Sequence, residues 1–385
     1  MKNIRVLVVG CGNMGASHAK AYQNVSGFEI CGLVSPGNSK EALNEALGGG
    51  QKLYSDYFTA LADSKPDAVC ISTYPDTHEA YAIAALEAGC HVFLEKPIAD
   101  SLAGAIRVAE AVQKSGKTYM MMETVVYSRE YLFVKEMFDK GELGKIQFVR
   151  ASHQQEMAGW PGYWEGLPPM HYATHCVGPI VGLIGKEASH VSCVGSGRID
   201  ENLIPKYNSP YAVESCHIQF RNSDVAGEVT RSLFNTARQY RESFDVYGSK
   251  KSFEWSLVEH EQPVIHTGET PSRVTVPDYA HLLPKEIQSF TMQGVYDSES
   301  NQHLSFIQGS GHGGSHPHLV NEFLKKNNIS GEVHEISGSV EIAPGIGLAD
   351  AICDLVSSGS TLFMNGLKEV EVIFESQAVL IKNNL

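Results

Sequence analysis

The sequence predicts an α/β protein that contains two sheets of different kinds. Through the first third of the chain, short apolar runs alternate with helix-forming stretches. Near-continuous apolar strands joined by helices are typical of a doubly wound parallel sheet. After Ile146 the pattern changes to long segments in which apolar and polar residues alternate. This period of two predicts a large, mostly antiparallel sheet with one open face.

The N-terminal part shows its strands and helices in regular alternation. Apolar runs predict strands at residues 6–9, 28–35, 67–73, 91–96 and 118–122, with helices between them at 16–24, 39–48, 78–89 and 101–116. Glycines end three of these helices, and Ser101 is a suitable N-cap for the last one. A first domain is therefore expected to span residues 1–123, and a second α/β domain to span residues 124–385.

The second domain is recognised by its alternating strands. The pattern is carried by residues 145–155, 214–234 and 242–255. Turn residues such as Asn222-Ser223 and Gly248-Ser249 separate the strands. Near the C-terminus, residues 348–365 are predicted to form a helix that packs back onto this sheet.

Charge and composition exclude several classes of protein. The 385 residues have a formal net charge of −14, which argues against a nucleic-acid partner or an anionic membrane, because these are themselves negative. No apolar run approaches the ~18 residues of a membrane span. The eight cysteines form no C-x-x-C pair. We therefore expect a cytoplasmic globular protein with reduced, buried cysteines.

A glycine-rich turn beginning at Gly10 follows the first strand directly. Its pattern, G-x-G-x-x-G, is that of dinucleotide-binding turns: Gly10 permits the tight turn, Gly12 lets the backbone approach a pyrophosphate, and Gly15 lets helix and strand pack closely. Asn13 and Met14 complete the turn, and the N–H groups of the next helix would face the phosphates. A turn without a ligand is the alternative, but the strand before and the helix after it favour a cofactor site.

The second strand ends at Ser35, the position at which such domains normally distinguish NAD from NADP. NAD-specific domains usually carry an acid at this point, which binds the ribose hydroxyls and excludes a 2′-phosphate. This sequence has neither that acid nor an arginine, and Lys40 is the nearest cation. We expect NAD as the cofactor, with Ser35 among its contacts.

Glu95-Lys96-Pro97 lies at the carboxyl end of the strand at 91–96. Ligands of open α/β sheets bind at this edge. A lysine fixed there by a following proline can direct its ammonium group at a substrate hydroxyl and at the nicotinamide ribose. A solvated lysine beside a strand-ending proline is the alternative, since exposure is the common state of lysine.

Taken in order, these motifs resemble the Gfo/Idh/MocA superfamily of sugar oxidoreductases. The resemblance rests on the glycine-rich turn, on residues 72–99 with their Glu-Lys-Pro motif, and on the Lys-Gly-Glu-Leu-Gly-Lys-Ile segment at 140–146. It covers essentially the whole chain. It implies an NAD-dependent enzyme with a Rossmann domain and an α/β domain, assembled as a homodimer or homotetramer. It also implies that Glu95 and Lys96 contact the nicotinamide ribose, and that Lys96 touches the reacting hydroxyl. By the same resemblance, the cofactor cleft is lined by Tyr74, Pro75 and His78.

A further motif, Pro-Pro-Met-His-Tyr-Ala-Thr-His, departs from the dehydrogenases of this superfamily. Those usually carry an Asp followed four residues later by a His, whereas here His171 holds the Asp position and His175 keeps the histidine. The pair Tyr172 and His175 is similar to the Tyr-x-x-His of NAD-dependent α-N-acetylgalactosaminidases, which are redox-neutral glycosidases. A Met-Met-Glu run ending at Glu123 and a His-Gly-Gly run beginning at His312 add to this resemblance.

The resemblance also indicates which side chains carry the chemistry. A neutral imidazole can take a proton from a sugar hydroxyl while hydride leaves for NAD, so His175 is the expected base. Lys96, Tyr172 and His171 would share or orient this transfer. Aromatic faces stack on sugar rings and glycine-rich loops admit a ligand, although the aromatic residues could instead be core and the loop a plain turn. Substrate contacts are expected from Glu123, Tyr127, Trp160, Trp164 and His312.

Two other interpretations of the histidines remain open. His171 and His175 are four residues apart and could clamp a metal from one helix face. No His-Glu-x-x-His motif or carboxylate in helical register accompanies them, so no metal is expected. They could also be core histidines that are bonded to backbone carbonyls.

We therefore expect an NAD-dependent enzyme that oxidises a secondary hydroxyl, at carbon 3 of a pyranoside. This oxidation would be the first step of redox-neutral glycoside hydrolysis by elimination and addition. The sequence leaves two alternatives: a plain NAD(P)-dependent sugar dehydrogenase or ketosugar reductase, and a catalytically silent NAD-binding sensor. The presence of Lys96, Tyr172 and His175 favours an enzyme over the sensor.

Overall fold

The computed structural model divides the chain into two compact units. Unit 1 comprises Met1–Met122 and Glu322–Leu385, and unit 2 comprises Glu123–Asn321. The structure describes residues 3–24, 27–157, 167–238, 240–258, 261–285, 288, 315–328, 351–355, 367–374 and 378–383. Among these residues, no helix is both long enough and apolar enough to cross a membrane.

Unit 1 begins with a parallel sheet. Its strands are β1 (Ile4–Val9), β2 (Phe28–Val34), β3 (Leu53–Tyr54), β4 (Ala68–Ile71), β5 (His91–Leu94) and β6 (Tyr119–Met121). The connecting helices are α1 (Asn13–Asn24), α2 (Ser39–Ala46), α3 (Tyr57–Ser64), α4 (Pro75–Glu87) and α5 (Leu102–Ser115). All six strands are parallel, in the order β3-β2-β1-β4-β5-β6, so the winding reverses between β1 and β4. The predicted doubly wound sheet is confirmed.

The central strands of unit 1 are apolar because both of their faces are covered. Val6–Val9 of β1 and all of β4 are buried. Helix α5 shows the predicted end signals: the Ser101 hydroxyl accepts a hydrogen bond from the Gly104 N–H at 3.1 Å, and Gly116 ends the helix with a φ of +61°. Local sequence and buried packing therefore specify the same elements.

Unit 2 is built on an eight-stranded sheet. Its strands are β7 (Ile146–Gln154), β8 (Ala188–Ser196), β9 (Val213–Phe220), β10 (Ala226–Ser232), β11 (Arg241–Gly248), β12 (Ser252–Glu254), β13 (Val264–His266) and β14 (Ser272–Arg273). Its helices include α6 (Arg129–Asp139), α7 (Thr174–Ile184) and α8 (Ile204–Tyr207). The strand order is β14-β13-β12-β11-β7-β10-β9-β8, and the β7–β10 pair alone is parallel in this sheet as described. The predicted, mostly antiparallel sheet is confirmed.

Helix α7 covers one face of the central strands β7, β10 and β11. Val149 and Val229 are buried on this face, in the same core as Ile180 of α7. The next residue positions point to the opposite face, where Arg150 and Asp245 pair at 2.9 Å. This alternation is the period of two that the sequence showed, and it assigns each residue of the central strands to a face.

The C-terminal strands contradict one prediction. After helix α9 (Ser315–Asn328), β15 (Ala351–Leu355), β16 (Leu367–Phe374) and β17 (Ala378–Asn383) form an antiparallel sheet in the order β15-β17-β16. The helix predicted over 348–365 is therefore wrong at 351–355, and residues 356–366 lie outside the described part. A short apolar run does not distinguish a strand from a helix, and pairing with β17 determines the outcome.

Candidate active site

The turn between β1 and α1 requires glycine at two positions. Gly10 has a φ of +91°, and a Cβ atom built on it would lie 2.1 Å from the carbonyl oxygen of Ser72. A Cβ on Gly15 would lie 1.8 Å from the carbonyl oxygen of Gly10. Any side chain would therefore push α1 away from the ends of β1 and β4.

Gly12 leaves open space above the same turn. Within the described part of the chain, no atom lies within 4 Å of a Cβ built on this residue. Gly12 and Asn13 are exposed and Met14 is half-buried, at the N-terminus of α1. The free N–H groups and the helix dipole favour an anion there. The turn therefore fits the pyrophosphate of a dinucleotide, which a side chain at Gly12 would displace.

The segment after β2 carries two serine hydroxyl groups and a lysine, Lys40, that is bonded within its own turn. The hydroxyl oxygens of Ser35 and Ser39 lie 2.8 Å apart. The buried Lys40 donates from Nζ to the carbonyl oxygen of Gly37 at 2.7 Å, and the same atom lies 3.3 Å from Oε1 of Glu41. Lys40 is thus held within its own turn, which leaves it less suited to neutralise a 2′-phosphate.

Glu95 and Lys96 form a buried ion pair at the end of β5. Nζ of Lys96 lies 2.8 Å from Oε2 of Glu95, and Nε2 of His18 in α1 lies 3.2 Å from Oε1. Burial by itself would raise the pKa of Glu95, but the Lys96 ammonium and His18 outweigh it and hold this pKa below its ordinary value. The carboxylate therefore holds Lys96 as a positioned ammonium group. His18 is not among the predicted residues, although it lies on the same face of α1 as Gly15, three residues earlier.

Three predicted cofactor residues lie around the start of α4. The Tyr74 side chain is 55% exposed, and Pro75 is the first helical residue. His78 is fully buried, with Nδ1 2.6 Å from the Pro97 carbonyl oxygen and Nε2 3.1 Å from that of Thr73. Burial lowers the pKa of His78, against the opposing effect of these carbonyls. His78 thus links the turn after β4 to the Glu-Lys-Pro segment and helps to position it.

A row of charged and polar side chains crosses the centre of the unit 2 sheet. His153 of β7 is the register partner of Arg231 in β10 and of Glu242 in β11. All three are buried on the face that α7 covers, two positions beyond apolar residues such as Ala151. Nε2 of His153 lies 3.6 Å from Oε1 of Glu242. The apolar core of unit 2 therefore ends in a polar cluster at this row.

His175 of α7 faces this row from above the sheet. Its Nε2 lies 3.6 Å from Oε1 of Glu242, its Nδ1 lies 2.6 Å from Oε1 of Glu123, and its ring centroid lies 5.0 Å from that of His153. Because a carboxylate only accepts, Glu123 takes the hydrogen bond from Nδ1–H. In the neutral imidazole, Nε2 is then the acceptor nitrogen, and it faces Glu242. Gly178 permits this approach, since a Cβ there would lie 3.0 Å from Cγ of Glu123.

Tyr172 borders the cluster at the end of the 3-10 helix Pro169–Tyr172. Its ring centroid lies 5.6 Å from that of His175 and 5.3 Å from the buried guanidinium of Arg231. A cation over an aromatic face is attracted by the ring quadrupole, which helps to hold both side chains. His171 is half-buried on the same turn. Of the residues predicted around this motif, the structure thus brings Tyr172, His175 and Glu123 together.

The other predicted substrate residues are less central. Tyr127 is half-buried at the end of the 3-10 helix Val125–Tyr127. Trp160, Trp164 and His312 lie outside the described residues.

Three residues of the cluster are missing from the sequence prediction. His153, Arg231 and Glu242 belong to different strands, and only the sheet register joins them. Their signal is a polar residue at an apolar position of an alternating strand, as in Val149-x-Ala151-x-His153. The fold also brings two carboxylates to His175, which sequence spacing alone did not indicate.

Comparisons with known proteins agree with this architecture. Residues 4–123 match the model of the oxidoreductase family GFO_IDH_MocA with its NAD-binding Rossmann fold, and residues 131–254 match the GFO/IDH/MocA C-terminal domain. Over these residues the chain belongs to the Gfo/Idh/MocA oxidoreductase family. The prediction of NAD as the cofactor is confirmed by the family model.

Individual relatives cover the chain in part. Inositol 2-dehydrogenase 2 of Saccharopolyspora erythraea is 31% identical over 156 residues, which are 40% of this chain and 45% of that protein. An NAD binding oxidoreductase from Klebsiella pneumoniae has a similar structure, with a TM-score of 0.66, 18% identity, and coverage of 86% of this chain and 90% of that one. Levoglucosan dehydrogenase in complex with NADH and L-sorbose gives a TM-score of 0.59 and 21% identity, over 72% of this chain and 80% of that one. The two structures share the fold.

The C-terminal segment matches a different family. Residues 292–385 match the ATP phosphoribosyltransferase model. The ATP phosphoribosyltransferase of Cytophaga hutchinsonii is 68% identical over 66 residues, which are 17% of this chain and 23% of that protein. The chain thus spans about a quarter of the length of this relative. The expectation that the Gfo/Idh/MocA resemblance covers essentially the whole chain is corrected by this match, which includes His312.

Replacing Gly12 with valine tests the assignment of the open space above the turn. We expect Gly12→Val to weaken NAD binding by about tenfold or more, because its side chain would occupy the position of the pyrophosphate. The melting temperature should hardly change, since the new side chain meets no neighbouring atom in the described part. NAD affinity is measured by titration calorimetry and stability by thermal unfolding. Unchanged affinity in a folded variant would contradict the assignment.

Proposed function

We propose that this protein uses NAD to oxidise a secondary hydroxyl, at carbon 3 of a pyranoside, as the first step of redox-neutral glycoside hydrolysis. The observation that carries the proposal is the buried Glu123–His175 pair beside Tyr172, on a chain with an NAD-binding domain. Membership of an oxidoreductase family supports hydride chemistry. The 31% identical inositol 2-dehydrogenase supports a ring polyol as the type of substrate.

The proposed proton transfer depends on the tautomer of His175. Its Nε2 takes the hydroxyl proton, and Glu123 stabilises the imidazolium that forms through the 2.6 Å hydrogen bond at Nδ1. Bound NAD supplies the hydride acceptor. Tyr172, at the edge of the His175 ring, orients this transfer.

Lys96 is proposed to donate a hydrogen bond to the reacting hydroxyl. Glu95 holds its ammonium group at 2.8 Å, and His18 in turn holds Glu95. A fixed ammonium donor stabilises the negative charge that develops on the oxygen as its proton leaves. Glu95 and Lys96, with Ser35 and the first turn of α1, are proposed to contact the cofactor.

The redox-neutral cycle is the finer part of the proposal. Oxidation at carbon 3 acidifies the proton at carbon 2, so that the aglycone can leave carbon 1 by elimination. Water then adds, and the ketone is reduced by the hydride taken in the first step. The Tyr172/His175 spacing and His171 in place of an aspartate support this cycle. A plain sugar dehydrogenase is the second candidate, and the inositol 2-dehydrogenase relative favours it.

We also propose that the chain assembles as a homodimer or homotetramer through the open face of the unit 2 sheet. That face carries complementary charges such as Arg150 and Glu228, which a second copy can cover.

Neutralising Glu123 tests the proposed base. We expect Glu123→Gln to lower kcat for glycoside oxidation by ~10²-fold or more, because the imidazolium loses its counter-charge and the tautomer of His175 is no longer fixed. The KM for NAD should stay the same. Glu269→Gln, in the exposed loop between β13 and β14, is the matched control and should keep full activity. If Glu123→Gln and its control variant have equal kcat values, Glu123 has no role in the proposed mechanism.

Removing the Lys96 ammonium group tests its proposed hydrogen bond to the reacting hydroxyl. We expect Lys96→Ala to bind NAD almost normally and to lower turnover by ~10²-fold or more. Breaking a buried pair also destabilises the fold, by about 3–5 kcal/mol, so the double variant Lys96→Met with Glu95→Gln provides a neutral reference. The exposed Lys114→Ala is the control. Wild-type turnover of Lys96→Ala with a saturating glycoside would refute the role.

The net chemistry is tested with nitrophenyl glycosides in deuterated water. We expect nitrophenol release with catalytic NAD, no net NADH, and deuterium at carbon 2 of the product sugar, because that proton is removed and replaced. Accumulation of NADH one-for-one with a ketosugar would establish the plain dehydrogenase instead. NAD binding without turnover of any glycoside or polyol would establish the silent sensor.

A further inference from the structure

Three side chains of unit 2 form a cluster with the donor atoms of a metal site. One ligand atom each of His153, His175 and Glu242 lies within 4.8 Å of the other two. Oε1 of Glu242 is 3.6 Å from Nε2 of His153 and 3.6 Å from Nε2 of His175. The three residues come from β7, α7 and β11, and the His153–Glu242 pair is fixed by direct register across the sheet.

These distances are close to those of a tetrahedral zinc site. Zn–N bonds of about 2.0–2.1 Å and Zn–O bonds of about 2.0–2.2 Å put ligand atoms about 3.3–3.5 Å apart at the corners of a tetrahedron. Rotations of the side chains would bring the two 3.6 Å separations, and the third separation of at most 4.8 Å between the histidines, into this range. Two imidazoles and one carboxylate leave a fourth position for water, and two imidazole ligands favour zinc over magnesium or calcium.

A second observation points to the same ligand. Glu123 accepts the hydrogen bond from Nδ1 of His175 at 2.6 Å, so that in the neutral ring Nε2 is the acceptor nitrogen, and it lies 3.6 Å from Oε1 of Glu242. A carboxylate behind a histidine is the usual outer partner of a zinc ligand, where it fixes the ring and raises its basicity. The two carboxylates also outnumber the one buried guanidinium beside them, that of Arg231, which favours a cation.

We propose that His153, His175 and Glu242 bind a divalent zinc-like cation, which blocks proton acceptance at Nε2 of His175. One lone pair can hold a metal or receive a proton, but not both. Metal binding at this cluster is independent of the proposed function. Inhibition of the reaction by the metal rests on the proposed role of His175 as the base. The metal is therefore an inhibitor of the reaction, and the metal-free protein is the active form.

The binding step is tested on the full-length protein after dialysis against a chelator. Co²⁺ serves as the probe, because a tetrahedral site with two imidazoles gives it intense visible absorption. We expect one Co²⁺ per chain, displaced by one Zn²⁺ in calorimetry. His153→Gln and Glu242→Gln should each weaken Zn²⁺ binding by at least tenfold, and Glu123→Gln by about tenfold to a hundredfold.

A matched control is available on the same sheet. His266 and Glu254 form a half-exposed pair at 3.1 Å, so His266→Gln removes a comparable surface ligand and should leave the stoichiometry and affinity unchanged. Circular dichroism of each variant establishes that it is folded. Absence of stoichiometric Co²⁺ and Zn²⁺ binding, or equal Zn²⁺ affinity in the wild type and in folded His153→Gln and Glu242→Gln, would overturn the metal site.

The activity step separates this inference from the proposed function. We expect the chelator-treated enzyme to turn over the glycoside, one equivalent of Zn²⁺ to inhibit it, and chelator to restore it. Activation by Zn²⁺ would overturn the inhibitory role. Turnover without any Zn²⁺ binding would refute the site and leave the proposed function standing. If the chain binds Zn²⁺ but turns over no sugar, with or without chelator, the metal site stands and the proposed function is refuted.

Discussion

The hydrogen bond between Glu123 and Nδ1 of His175 is the interaction on which the proposed chemistry depends. Both side chains are buried, so the carboxylate is costly to hold there unless its partners are close and well oriented. The absence of a side chain at Gly178 eases the approach of helix α7, because a Cβ there would lie 3.0 Å from Cγ of Glu123. In the neutral imidazole, this hydrogen bond leaves Nε2 of His175 as the acceptor nitrogen, which is what a general base and a metal ligand both require.

The sheet of unit 2 extends this site without any sequence motif. Direct register across β10, β7 and β11 places Arg231, His153 and Glu242 in one row, beyond an apolar core on the same face. In unit 1 a comparable chain of contacts joins His18, Glu95 and Lys96. In both units a residue remote in sequence fixes the group that is proposed to act.

Much of the fold follows from local sequence, and part of the site does not. The glycines at 10–15 predict the cofactor turn because backbone sterics alone demand them, and alternation predicts the antiparallel sheet. His153 and Glu242 are not predictable from spacing, because register brings them together. The sequence predicts a helix at 351–355, where the structure has a strand, since a short apolar run is compatible with either. The match to a second family over 292–385 is not predictable from composition, which is that of an ordinary soluble protein throughout.

The most direct measurement of the central claim is the tautomer of His175 in the metal-free protein, by ¹⁵N nuclear magnetic resonance at neutral pH. Comparison with a His175→Gln variant assigns the two ring signals. The account predicts a protonated Nδ1, with its proton shifted far downfield by the Glu123 carboxylate, and an unprotonated Nε2. A proton on Nε2 with a bare Nδ1 would contradict it, because neither proton acceptance nor metal binding at Nε2 could then occur from the resting state.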